Sequence, residues 1–108
     1  MLPGQAIAGK TAKAPIDPRK VFDIDLPHGC VLTSEPGPDF QVFFAECKGE
    51  NYAGVYLGDT PDMSIPHSRI LKTGLDYPEQ MQVWSTNVPA NQELADKIAA
   101  SVRLRVRK

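Results

Sequence analysis

Ten prolines punctuate this chain of 108 residues, and their placement restricts its architecture more than any other feature. Proline fixes φ and lacks an amide proton, so it stops helices and is excluded from the middle of a sheet. Pro15 and Pro18 prevent a long helix near the start. The other prolines fall in the arm, in turns or at Pro89, and none interrupts a stretch with regular apolar spacing. Punctuation and periodicity therefore agree on where the elements lie.

From Val21 onward the apolar residues recur with period two, the pattern of half-buried strands. Phe22, Ile24 and Leu26 alternate with Asp23 and Asp25, and Pro27-His28-Gly29 turns the chain into a second strand over 30–35. Pro36-Gly37-Pro38-Asp39 is a reversal, residues 40–47 are an aromatic strand, and Lys48-Gly49-Glu50-Asn51 leads into a strand over 52–58. Residues 59–68 are the longest loop, followed by strands over 69–73 and 81–86. Pro89 suits the first turn of a helix. After it Leu94, Ala95, Ile98, Ala99 and Val102 fall on one stripe. Basic residues near the end complement the helix macrodipole, which predicts a helix reaching about Leu104. The expected fold is α+β: a mostly antiparallel sheet of five or six strands with a C-terminal helix packed on one face. Residues 1–20 read as a flexible basic arm, with a short helical turn over 5–14, and residues 21–108 as a single domain.

Charge is unevenly spread. Residues 1–20 carry four cations against Asp17, and residues 97–108 carry five cations. Residues 21–96 hold twelve carboxylates against Lys48, Arg69 and Lys72, a balance of −9. The basic ends either neutralise this acidic body or leave it to attract a cationic partner. A net charge of −1 excludes a nucleic-acid binder that works through bulk charge. No stretch approaches the roughly 18 apolar residues of a membrane span. The start has no signal-peptide pattern, so a periplasmic or secreted location requires a signal already removed; otherwise the location is cytoplasmic.

Cys30 and Cys47 are the two cysteines. If Glu35 faces Asp39 across the reversal, Cys30 opposes Phe44. The two cysteines then lie about 10 Å apart along the ladder, beyond the roughly 7 Å that a disulfide spans. Two free thiols are expected. His28 beside Cys30 suggests a thiol nucleophile with its base, but nothing marks the electropositive setting that a reactive thiolate needs. His28, Cys30, Cys47 and His67 have zinc-ligand chemistry without zinc-ligand spacing. The acidic loop 58–62 with His67 does not follow the ligand order of a calcium site. No metal or other cofactor is expected. No dinucleotide, phosphate-loop, zincin or nucleophile-elbow string occurs, so the chain reads as non-enzymatic.

The helix can cover one face of the sheet only. The larger apolar set, Phe40, Val42 and Phe44 with Val55 and Leu57, is expected beneath it. Phe43, Tyr56 and Trp84 would then form a patch on the other face beside Asp59, Asp62 and His67. Aromatics ringed by carboxylates suit a protein contact with a partner or with a second copy of the chain; the alternative is that the arm, residues 5–16, folds over them.

Two stretches carry a resemblance. Phe22-Asp23-Ile24-Asp25-Leu26-Pro27-His28-Gly29 with Gly37-Pro38-Asp39-Phe40, and Glu93 to Ile98 with Ser101-Val102-Arg103, resemble the opening and the terminal helix of PsbP-like proteins. The resemblance implies an antiparallel sheet with helical cover, no catalytic site, and an accessory or partner-binding role, as in bacterial envelope relatives. The chain departs from that group where Trp84 leads almost directly into the helix. The expected function is a small non-enzymatic partner-binding or accessory protein of a bacterial envelope. The alternatives are an inhibitor or immunity-type protein masking a basic partner, and a minor hydrolase using His28 or His67.

Overall fold

A computed structural model describes residues 16–105. Its elements are β1 (Phe22–Asp23), β2 (Cys30–Pro36), β3 (Gln41–Cys47), β4 (Glu50–Gly58), β5 (Arg69–Lys72), β6 (Gln80–Ser85), α1 (Gln92–Ser101) and β7 (Arg103–Leu104). Five strands form one antiparallel sheet in the order β2-β3-β4-β6-β5, and β1 pairs with β7 as a separate two-stranded sheet. The architecture is α+β, with the C-terminal helix lying against β4 and β6. The helical turn proposed for residues 5–14 lies outside the described residues. At the end of the arm, Ile16 packs against the core and its N–H donates to Gln41 Oε1 at 2.8 Å.

The pairing of β3 with β4 decides which side chains are inside. Cys47 lies opposite Glu50, so Lys48 and Gly49 form a two-residue turn. Both have positive φ, 54° and 81°, as a primed hairpin turn demands. Continued without interruption, that turn would place Val42 beside Val55. The register instead shifts between Ala45 and Glu46, leaving Tyr52 as an extra residue on β4. Such a bulge reverses the facing of every residue beyond it. Phe43 therefore lies opposite Val55, and Val55 opposite Val83.

This corrects the expected face assignment. Phe43, 2% exposed, is in the core beneath the helical layer with Val55, Leu57, Met81 and Val83. Ala95, Ile98 and Ala99 of α1 close that layer. Phe22 covers the β3 end of it, meeting Phe43 edge-on at 6.0 Å. Phe40, Val42 and Phe44 belong to the opposite side.

The β2–β3 register is also corrected. Pro36 lies opposite Gln41, and the chain reverses through a four-residue loop closed by the Gly37 N–H donating to the Phe40 carbonyl at 2.8 Å. Phe40 stays out of the ladder because its ring lies over Gly37, where a Cβ would be 2.3 Å away. The longer loop brings Cys30 opposite Cys47, and the two form a disulfide with Cα atoms 4.2 Å apart.

The helix is shorter than its apolar stripe suggests. Val102 leaves it with extended backbone yet stays buried, and Leu104 pairs with Phe22. Core burial of alternating Val102 and Leu104 outweighs the few tenths of a kcal/mol that basic residues gain from the macrodipole. Arg69 serves the helix end instead, donating to the carbonyls of Ala99 and Val102 at 2.9 and 3.1 Å.

Thiol titration of the unreduced, denatured protein should find no free thiol. Replacing both cysteines by serine should cost about 3 kcal/mol, from loss of a cross-link between residues 17 apart. Two free thiols would contradict the β2–β3 register.

Candidate functional site

The sheet face away from α1 carries large aromatics over small residues. Gly54 lies between Phe44 on β3 and Trp84 on β6. The Trp84 ring occupies the space that a Gly54 side chain would need, since a Cβ there would be 2.3 Å from it. Aromatic cover of a strand glycine restores packing that the missing side chain gives up. Phe44 meets Trp84 edge-on with ring centres 6.4 Å apart, and Phe40 stacks on Tyr56 at 5.9 Å. Two aromatic pairs thus form a floor across three strands and the β2–β3 loop.

Residues 59–68 fold over the far side of this floor, held by a buried amide. Gln82, 0% exposed, accepts from the Asp62 N–H at 2.8 Å and donates to the Asp62 carbonyl at 2.6 Å and Ser68 Oγ at 3.0 Å. A fully satisfied buried amide fixes a loop where a bare one would be costly. The Thr60 N–H donates to Tyr56 Oη at 2.8 Å, and Asp59 accepts from the Glu79 N–H at 3.0 Å.

Between this loop and the β2–β3 reversal lies a groove of about 580 Å³. Phe40, Val42, Phe44, Tyr56 and Trp84 line its floor, Ile65 and Gln82 lie towards the loop, and Glu35, Asp39, Asp59 and Asp62 supply the charge. No basic side chain lines it among the described residues. Hydrogen bonds from the Ser64 hydroxyl and then the Ser64 amide hold the Asp62 carboxyl below its ordinary pKa. Tyr77 has its phenol pKa raised by burial first and then by the charges of Asp39 and Asp59. The local potential is negative.

The structure brings together four of the six residues proposed from sequence: Tyr56, Trp84, Asp59 and Asp62. Phe43 is a core residue, and Phe44 takes its place on the open face. His67 lines a neighbouring cavity of about 700 Å³ between β6 and α1, which shares only Trp84 with the groove. There Ser85 Oγ donates to Asp96 at 2.8 Å, and this bond, then one from Gln92, then the charge of His67, lowers the Asp96 pKa. The Ser85 hydroxyl is thus directed at Asp96 rather than at His67. His28 is exposed in the turn before β2, and Cys30 and Cys47 are bonded to each other. Among the described residues no cluster of three or more His, Cys, Asp or Glu side chains is placed to hold a metal ion. Phe40, Phe44, Glu35 and Asp39 escaped the sequence reading because the bulge at Tyr52 and the four-residue reversal bring them to this face.

No family model, curated protein or solved structure matches the chain.

Gln82→Leu should release the 59–68 loop while changing global stability by about 1 kcal/mol. Amide exchange should quicken at Asp62 and Thr60, with protection kept at Val55 and Val83. Unchanged exchange at Asp62 would show that Gln82 does not hold the loop.

Proposed function

We propose that this is a small non-enzymatic partner-binding or accessory protein and that the aromatic groove is its contact surface. One observation carries the reading. The helix covers one sheet face, whereas the other retains two aromatic pairs beside a groove of about 580 Å³ rimmed by carboxylates. Aromatic side chains supply large contact area at low conformational cost and dominate interface energetics. The loop that walls the groove is tied down by Gln82, so the surface is organised before a partner arrives.

The Cys30–Cys47 disulfide supports work in an oxidising compartment, such as a bacterial envelope. An accessory role of this kind is also what the PsbP-like resemblance implies. An inhibitor or immunity-type protein would use the same groove, and the acidic rim favours that second reading if the partner is basic. The two differ in consequence: an inhibitor abolishes an activity of its partner on binding, and an accessory protein does not.

Trp84→Ala tests the surface. Trp84 is only partly buried, so the substitution should cost less than the roughly 3–5 kcal/mol of a fully buried tryptophan. Affinity capture from the source cells should recover a partner with the unaltered chain and with His28→Ala, and lose it with folded Trp84→Ala. Recovery by Trp84→Ala at the level of the unaltered chain would refute the groove as the contact surface.

A further inference from the structure

We infer that the groove receives an extended basic segment of a partner protein, its arginine or lysine side chains lying over the aromatic floor between two carboxylate-bearing loops. The inference rests on the groove being the contact surface. Its first support is charge complementarity. Glu35 and Asp39 approach from the β2–β3 side and Asp59 and Asp62 from the loop after β4, and all four are exposed. Among the described residues none of them forms a salt bridge.

The chain's own described arginines are engaged elsewhere. Arg19 pairs with Asp17, Arg103 with Asp25 and Arg105 with Asp23. Arg69 is turned towards the carbonyls at the end of α1. Arg103 and Arg105 thus neutralise the β1 region, and none of the described arginines pairs with the groove's carboxylates.

The floor gives the second support. Cations are attracted to the faces of tryptophan and tyrosine, and the guanidinium plane also stacks on them. Two aromatic pairs offer more than one such platform. Aliphatic stems of arginine or lysine would cover Val42 and Phe44 while their heads reach the rim. Four carboxylates, two at the β2–β3 end and two on the loop after β4, match successive cationic residues along a chain, whereas a single monovalent cation would leave most of that charge unpaired.

Trp84 is the only tryptophan and borders both the groove and the neighbouring cavity, so its emission reports binding at this edge. The double variant at Glu35 and Asp39 assigns that binding to the groove. The full chain should be titrated with a penta-arginine peptide, with its neutral penta-citrulline counterpart and with spermidine, by fluorescence and calorimetry together. Penta-arginine should shift Trp84 emission saturably, with affinity falling at least about fivefold as salt rises from about 0.01 M to about 0.15 M. Penta-citrulline should bind at least about tenfold more weakly, given the loss of charge-assisted contacts. The exposed double substitution Glu35→Gln with Asp39→Asn should weaken penta-arginine binding at least about threefold without altering the fold, as expected when two nearby charges are lost. Absence of binding, heat without an emission change, equal binding of penta-citrulline, tighter binding of spermidine, indifference to salt, or full affinity in the double variant would each overturn the inference. If penta-arginine fails while capture of a partner still depends on Trp84, the contact surface stands and its cationic specificity falls. If capture is also independent of Trp84, both fall.

Discussion

The division of the main sheet into a core face and an open aromatic face follows from one pairing parity. The Lys48-Gly49 turn starts the β3–β4 ladder in one register, and the bulge at Tyr52 moves it into another. A strand has period two, so a shift of one residue exchanges its two faces completely. Phe43 is thereby placed with Val55 and Val83 under the helix, and Phe44 faces out with Trp84. The Cys30–Cys47 disulfide holds the neighbouring β2–β3 register at the same end of the sheet. An open sheet face rich in aromatics is the direct product of that parity.

Charge follows the same division. The second small sheet joins β1 to β7 and brings Arg103 and Arg105 to Asp25 and Asp23, at 3.2 and 2.5 Å. These are exposed pairs worth at most about 1 kcal/mol each, so their importance lies in where they place charge. They cancel the acidic body on the β1 side. The groove side keeps Glu35, Asp39, Asp59 and Asp62 without such partners among the described residues. Gln82 and its loop then keep two of these carboxylates beside the aromatics.

The element order was legible because proline positions and alternation report the same boundaries. Residues 40–47 read as a strand and form Gln41–Cys47; the stripe from Leu94 to Ile98 reads as a helix and lies in Gln92–Ser101. Tyr56, Trp84, Asp59 and Asp62 were legible as a group because β4 and β6 pair without a bulge. Phe44 was not, since its facing depends on one extra residue eight positions later with no local composition to announce it. The disulfide was hidden for a related reason: Phe40 leaves the ladder to cover Gly37 and stack on Tyr56, which lengthens the reversal. The helix end is not legible locally because Leu104 pairs with Phe22, a partner far away in sequence.

Inter-ring and ring–methyl nuclear Overhauser contacts test the parity most directly. Contacts are expected from the Phe43 ring to the Val55 methyls and the Phe22 ring, and from the Phe44 ring to the Trp84 indole. Contacts from the Phe44 ring to the methyls of Val55 and Leu57, with Phe43 beside Trp84, would contradict it.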